Sequence, residues 1–287
     1  MRSKQSLRNS ARSALLFFSL FALLSLAGCE YRIEPTYKEK DIPRIIKNIC
    51  QDELGLEVVT KRTHNTLWVY APMAKILHEE YGIKENKFFD EGMSERLRNI
   101  LMTIGRVLMS SDNAPEFYAI LASDINLGID YTMIGYLLDL KKSYAQAIHW
   151  MEANRRYVIK LDVAPDAIAD TTGEHLKAFD IKFTDFLAAQ IGQRIGAKFQ
   201  DENWKNYFLV EKTEGRFSEG VFSIEYSISL VSPLQQEIDI KEEILNIVTY
   251  CIMTYGFEDF SRVELTDLHN DDLLILGKDA IMTRPMP

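Results

Sequence analysis

A short polar segment near the end of the chain gathers side chains that are able to bind a metal ion. His269, Asp271 and Asp272 follow one another closely, with Asn270 among them. Carboxylate oxygens and imidazole nitrogens are common ligands of divalent cations. The carboxylates do not alternate as in a calcium-binding loop, and Asn and Asp favour turns because they hydrogen-bond their own backbone. We therefore favour a plain turn and keep a divalent-cation site as the alternative.

Two acids at matched positions form the second candidate site. Asp124 and Asp267 each end a predicted strand, and each follows a hydroxyl residue, Ser123 or Thr266. Two carboxylates within a few ångströms of each other can divide the roles of acid and base. The simpler explanation is that each aspartate ends its strand and caps the next turn. We favour that explanation and assign neither residue a catalytic role.

Motifs for other chemistries are missing from the sequence. It contains no His-Glu-x-x-His, no glycine-rich phosphate loop and no Gly-x-Ser-x-Gly. His149 and Glu152 share a face of a predicted helix but have no third ligand, and the acids between Asp162 and Asp180 predict a solvated surface. We therefore expect no cofactor and no bound metal, and we prefer a binding protein to an enzyme. A catalytic site built from distant residues, however, leaves no local motif.

The first 29 residues carry the pattern of an exported chain. Four basic residues lie within residues 1–12, the apolar stretch Ala14–Leu26 follows, and Leu26-Ala27-Gly28-Cys29 completes the segment. This segment resembles the signal peptide and lipobox of bacterial lipoproteins. The resemblance implies cleavage after Gly28 and a diacylglycerol thioether on Cys29, whose acyl chains anchor the protein to a membrane.

The residue after the lipidated cysteine bears on the location of the protein, and the net charge bears on its partners. Glu30, in place of Asp, implies by the same resemblance the outer membrane, facing the periplasm, if the cell has two membranes. Removal of residues 1–28 leaves 29 basic against 42 acidic residues, a formal charge of −13. Such a chain is repelled by phosphate. We expect no nucleic-acid partner and favour a protein partner in the cell envelope.

Two further cysteines, Cys50 and Cys251, leave one question open. Export permits a disulfide bond between them. Both residues lie at apolar positions of predicted helices, where a free cysteine behaves as a small hydrophobic residue. We favour free, buried thiols and keep the disulfide as the alternative.

The periodicity of apolar residues predicts the elements that must position these sites. It predicts helices over 41–55, 94–110, 183–199 and 240–254, and strand pairs within 56–71, 117–140, 207–231 and 260–281. Short connections make neighbouring strands antiparallel. We therefore predict an α+β fold with two internally duplicated lobes, each a four-stranded antiparallel sheet with helices on one face. The predicted divisions are the signal peptide (1–28), a lipidated tether (29–40), the first lobe (41–142), a helical connector (143–182) and the second lobe (183–287).

The register of the two halves supports duplication. A shift of 143 residues aligns the apolar positions from Leu97 to Ile125 with those from Ile240 to Leu268 without a gap. One gap then aligns Ile134-Gly135 with Leu276-Gly277. Two generic helix–strand units also align in apolar pattern, and we favour true duplication over that coincidence.

The connector and the aromatic strands complete the sequence predictions. We predict helix over Tyr144–Lys160 and a second helix that starts at the capping-box pattern Thr171-Thr172-Gly173-Glu174. Large aromatic residues on an open sheet face suit docking of a peptide or glycan, whereas the same residues on the buried face only fill the core, and the alternating pattern leaves both explanations open. The aromatic residues on the predicted strands include Trp68, Tyr70, Phe117, Tyr118, Tyr207, Phe208, Phe222 and Tyr226.

These observations predict a lipid-anchored extracytoplasmic accessory protein that binds or assembles a partner in the bacterial envelope. An envelope hydrolase with a carboxylate and histidine site between the lobes is one alternative, and a ligand-binding lipoprotein is another.

Overall fold

The computed structural model describes residues 35–78, 89–233 and 238–286. Residues from Tyr37 onward form one compact unit, in which Tyr37 of the predicted tether already pairs with Ser111. The α-helices of the described part are α1 (Ile42–Leu54), α2 (Glu91–Met109), α3 (Leu137–Tyr144), α4 (Trp150–Asn154), α5 (Phe183–Phe199), α6 (Ile240–Tyr255) and α7 (Lys278–Met282). The strands are β1 (Val59–Thr63), β2 (Thr66–Met73), β3 (Phe117–Asp124), β4 (Ile129–Tyr136), β5 (Val158–Val163), β6 (Phe208–Ser218), β7 (Val221–Leu230), β8 (Arg262–Asp267) and β9 (Asp272–Gly277).

The predicted signal peptide and lipidation site, including Cys29 and Glu30, lie outside the described residues. Within the described residues, no helix has both the length and the apolar character needed to cross a membrane.

The strands form two mixed sheets, one in each lobe. Their orders are β1-β2-β3-β4-β5 in the first lobe and β6-β7-β8-β9 in the second. The predicted α+β fold with two sheet lobes is therefore confirmed, and every hairpin is antiparallel. The prediction that all neighbouring strands are antiparallel is wrong, because β2 pairs parallel with β3 and β7 pairs parallel with β8. Helix α2 or α6 lies within each of these connections, and a connection through a helix returns the chain in the same strand direction.

The connector departs most from its prediction. The helix predicted over Tyr144–Lys160 is replaced by the short helix α4 and by strand β5, which adds a fifth strand to the first sheet. The β-branched residues Val158, Ile159 and Val163 favour this extended conformation. No helix starts at Thr171 either, because Gly173 adopts a left-handed conformation with φ of 71°, and the next helix begins at Phe183.

The two lobes share both element order and register. Asp124 pairs with Ile129 across one hairpin turn, and Asp267 pairs with Asp272 across the other. The offset of 143 residues therefore continues from β3 and β8 into β4 and β9. The gap that we placed before Ile134 is wrong, because the continued offset matches Ile134 with Gly277. The matched registers support internal duplication more strongly than the apolar pattern alone.

Three apolar cores hold the unit together, and the third corrects the docking prediction. The first core lies between the first sheet and helices α1 and α2, and the second lies between the second sheet and helices α5 and α6. The third covers the other face of the first sheet, where Trp68 and Tyr70 pack with Leu176 of the connector and Phe186 of α5. Trp68, Tyr70 and Tyr226 are at most 3 % exposed, so none of them lies on an open face.

The two remaining cysteines are free and buried. Cys50 belongs to the first core and Cys251 to the second, so they are separated by the fold and form no disulfide. Burial raises the pKa of the Cys50 thiol to about 11 and that of Cys251 to about 12. Both thiols therefore behave as the small hydrophobic residues that we favoured.

Close packing of α5 on β6 predicts a sensitive glycine. A β-carbon on Gly215 would lie 2.0 Å from the backbone oxygen of Ala188, whereas one on Gly277 would meet nothing within 4 Å. Because a backbone atom cannot move aside as a side chain can, we expect Gly215→Ala to lower the free energy of unfolding by about 2 kcal/mol. Urea denaturation checks this, with Gly277→Ala as the matched control. Equal stability of the two variants would contradict the packing.

Candidate functional site

His269, Asn270 and Asp271 lie in the turn between β8 and β9, and Asp272 is the first residue of β9. The backbone N–H groups of His269 and Asn270 donate to Asp267 Oδ1 at 2.9 and 3.2 Å. Asp272 forms an ion pair with Lys241 of α6, and Asp272 and the three turn residues before it are all exposed. Across residues 35–78, 89–233 and 238–286, no group of three or more His, Cys, Asp or Glu side chains is placed to hold a metal ion.

Asp124 and Asp267 occupy equivalent positions, and each is bound within its own lobe. Asp124 Oδ1 accepts the N–H groups of Asn126 and Leu127 at 3.0 and 2.9 Å, as Asp267 Oδ1 accepts the first two amides of its own turn. Asp124 Oδ2 also accepts the N–H of Ile76 at 3.1 Å. Both side chains therefore cap the turns that follow their strands.

A cluster around His175 was not singled out from the sequence. His175 Nδ1 lies 2.6 Å from Asp170 Oδ2, and His175 Nε2 lies 3.3 Å from both Asp130 Oδ2 and Ser123 Oγ. We call these four residues the His175 clasp. It joins the connector, which supplies Asp170 and His175, to strands β3 and β4, which supply Ser123 and Asp130. The imidazole thus links the connector to the face of the first sheet.

The electrostatics of the clasp favour an ionised Asp170. Burial by itself raises the pKa of this carboxyl, but hydrogen bonds from the His175 ring, the His175 amide and Thr172 outweigh burial and hold the pKa well below its usual value. Nearby Tyr70 has its pKa raised to about 12, first by burial and then by the negative charge of Asp170. The Tyr70 hydroxyl therefore stays protonated and donates to the backbone oxygen of Asp170.

The Ser123–His175–Asp170 order resembles that of a nucleophilic triad, but two features oppose this role. Ser123 is fully buried, and its hydroxyl donates to Asp130 Oδ1 rather than lying open to a substrate. A nucleophile must be accessible and must pass its proton to the base. The arrangement therefore fits a structural fastening of the connector better than catalysis.

An open cleft lies between helices α5 and α6 of the second lobe, beside the end of α4. Its volume is about 560 Å³. The wall contains the cations Arg155, Arg194 and Lys198, the acids Asp201 and Glu243, the amides of Asn154, Gln193 and Asn246, and the apolar groups of Ala197, Ile247 and Tyr250. We call it the α5–α6 cleft. Its three cations contrast with the formal charge of −9 on the whole chain.

Hydrogen-bond donors in this cleft remain free. Arg194 Nε is buried and has no partner among the described residues. The Arg194 guanidinium also lies over the ring of Tyr250, 5.3 Å from its centroid. The guanidinium of Arg155 is exposed, and the structure gives it no ion pair with any described residue. Hydrogen-bond donors without a partner, next to apolar side chains, suit a ligand that carries acceptor oxygens.

A buried network of hydrogen bonds and ion pairs holds Arg194 of the cleft and connects the two lobes. Arg156 donates to Asp139 Oδ1 at 2.6 Å and to Glu152 Oε1 at 2.9 Å, and Arg194 donates to the same Glu152 oxygen at 2.7 Å. Tyr255 of α6 donates to Asp139 Oδ2 at 2.5 Å and accepts from Gln190 of α5 at 3.0 Å. We call these six residues the junction network. It fixes the orientation of Arg194 in the cleft, because Glu152 binds both of its terminal nitrogens.

No family model, no curated protein and no solved structure matches this chain. The function of these sites therefore has to be inferred from their geometry.

Proposed function

We propose that this chain is a lipid-anchored extracytoplasmic binding protein of the bacterial cell envelope, and that the α5–α6 cleft receives an acidic segment of a protein partner. The free donors of Arg155 and Arg194 in an otherwise acidic protein are the observation that supports this proposal. The signal-peptide pattern and Cys29 support the anchor, which would lie in the outer membrane, facing the periplasm, of a cell with two membranes.

The chemistry of the cleft supports an acidic ligand over a basic one. Lys198 pairs with Glu243 at 3.3 Å and Arg194 pairs with Glu152 at 2.7 Å, so Arg155 is the cation of the cleft that has no ion pair among the described residues. A carboxylate in the cleft would form a charge-assisted hydrogen bond with the exposed Arg155 guanidinium, and a small shift of the groups that cover Arg194 Nε would give it a second donor that has no partner among the described residues. Ala197 and Ile247 would contact the apolar part of the same segment.

Lipidation at Cys29 predicts a clear change in partitioning. We expect the wild-type chain, expressed with its signal segment, to enter the detergent phase and to label with a radioactive fatty acid, because its acyl chains stabilise membrane association. The Cys29→Ala variant should lose both properties. Cys50→Ala, which removes a buried thiol, is the control. Fatty-acid labelling that persists in Cys29→Ala would contradict the anchor.

Loss of Arg155 should weaken binding of an acidic probe. We expect a tri-glutamate peptide to shift the Arg194 Nε–H signal in nuclear magnetic resonance spectra of the mature chain, and Arg155→Ala to weaken this binding about fivefold, which corresponds to about 1 kcal/mol. Arg98→Ala, at an exposed site on α2, is the control. A tri-lysine peptide should leave the signal unchanged. Equal effects of the two peptides would count against the proposal.

A hydrolase is the second candidate, and the distances from His175 to Ser123 and Asp170 favour it. It requires the connector to move, because Ser123 is fully buried. Labelling of Ser123 by a fluorophosphonate in the native chain, and its loss in His175→Ala, would support this candidate over the binding protein.

A further inference from the structure

The free edges of the two sheets differ in how they are protected. The outer strands β1 and β5 carry charged residues, Lys61 and Arg62 in β1 and Lys160 and Asp162 in β5, and β6 has a bulge between Val210 and Lys212. Charges and bulges prevent a sheet edge from pairing with another chain. In β9 the four residues from Leu273 to Leu276 are all apolar, and the strand pairs with β8 without a register shift. This edge therefore lacks the usual protection.

The first lobe of the internal repeat shows which kind of segment pairs with such an edge. Strand β4 is the counterpart of β9, and its outer edge is filled by β5 through six antiparallel pairs, from Ile129–Val163 to Ile134–Val158. Within the described residues, no strand pairs with the corresponding edge of β9. The first lobe thus contains an extended segment at the position that is open in the second.

The exposed side chains of β9 specify the chemistry of an added strand. Leu273 and Ile275 are 54 % and 53 % exposed on the outer face of the second sheet. Their counterparts in β4 are Asp130 and Thr132, which face Asp162 and Lys160 of β5. Leucine and isoleucine in place of these polar residues favour apolar partners at the same two positions of an added strand.

We propose that the outer edge of β9 binds an extended segment of another polypeptide as an antiparallel fifth strand, about six residues long, with apolar residues opposite Leu273 and Ile275. Backbone hydrogen bonds along the edge would provide affinity, and the two apolar positions would provide selectivity. This surface is separate from the α5–α6 cleft, so the inference stands apart from the proposed function.

Two peptides test the proposal on the mature full-length chain. The probe has the β5 sequence with valine in place of Lys160 and Asp162, flanked by lysines for solubility, and the comparison peptide keeps the native β5 residues with the same flanks. We expect fluorescence anisotropy to show saturable binding of the probe, about tenfold tighter than that of the comparison peptide. Hydrogen exchange should show new protection of β9 amides on binding.

Variants of the chain separate this surface from its alternatives. Leu273→Lys and Ile275→Lys should each weaken probe binding about tenfold, whereas Leu209→Lys, on the same face at the opposite edge of the sheet and 49 % exposed, should not. Arg155→Ala should leave probe binding unchanged. No saturable binding, or equal loss in Leu209→Lys, would overturn the proposal. A dimer of the unmodified chain that Leu273→Lys dissociates would identify a second copy as the occupant and would also overturn it.

Discussion

Replacing Arg156 by alanine is expected to lower the free energy of unfolding by about 4 kcal/mol. The Arg156 side chain is 6 % exposed and bonds both Asp139, 8 % exposed, and Glu152. Its removal leaves Asp139 without a cation in a partly dry interior and Glu152 with Arg194 alone, and breaking a buried ion pair in this way typically costs about 3–5 kcal/mol. The effect should be large because the junction network joins elements of both lobes.

The neighbouring residue provides the control for this experiment. Arg155 is exposed and forms no ion pair with a described residue, so Arg155→Ala should change stability by less than about 0.5 kcal/mol. Urea denaturation followed by circular dichroism measures both variants. If Arg156→Ala were as stable as Arg155→Ala, the junction network would contribute nothing to the association of the lobes.

Replacing His175 by alanine is expected to lower the free energy of unfolding by about 3 kcal/mol. The side chains of His175 and Asp170 are each 9 % exposed, and Asp130 is 13 % exposed. Without the imidazole, two buried carboxylates lose a partner while the connector loses its link to β4. His269→Ala, at an exposed turn, should be nearly neutral. Hydrogen exchange should locate the loosening in residues 164–182, and protection there equal to that of wild type would contradict the clasp.

The same clasp predicts a dependence of stability on acid. Since the folded-state pKa of Asp170 lies below its ordinary value of about 3.9, its ionised form contributes stability above that value and loses it as the pH falls toward the folded-state pKa. The wild-type chain should therefore exceed Asp170→Asn in stability at pH 7, and the difference should shrink below about pH 4. Urea midpoints at pH 7, 5, 4 and 3 measure this, and a constant difference would argue against the ionised carboxylate.

Local patterns in the sequence predicted helices α1, α2, α5 and α6 and the hairpins, because periodicity and turn residues are local properties. The parallel pairing of β2 with β3 was missed because it depends on the route of the chain through α2. One feature of the sequence did indicate that the first sheet is covered on both faces. Strands β2 and β3 are almost continuously apolar, whereas apolar and polar residues alternate in β7. Continuous apolar strands are typical of sheets buried on both faces.

Neither the His175 clasp nor the α5–α6 cleft has a local signature. Ser123, Asp130, Asp170 and His175 come from two strands and an irregular segment, and Ser123 is separated from His175 by 52 residues. Only the fold of the connector over the sheet brings them together. The cleft likewise combines side chains of α4, α5 and α6, so its charge became evident only when the three helices were placed in space.

The third core makes the first lobe dependent on chain that follows it. Trp68, Tyr70 and Phe117 are buried partly by Phe186, which belongs to the first helix of the second lobe. A chain that ends near residue 142 would lack both the connector and α5 and would therefore expose an apolar sheet face, whereas one extended through Phe199 would be able to bury it.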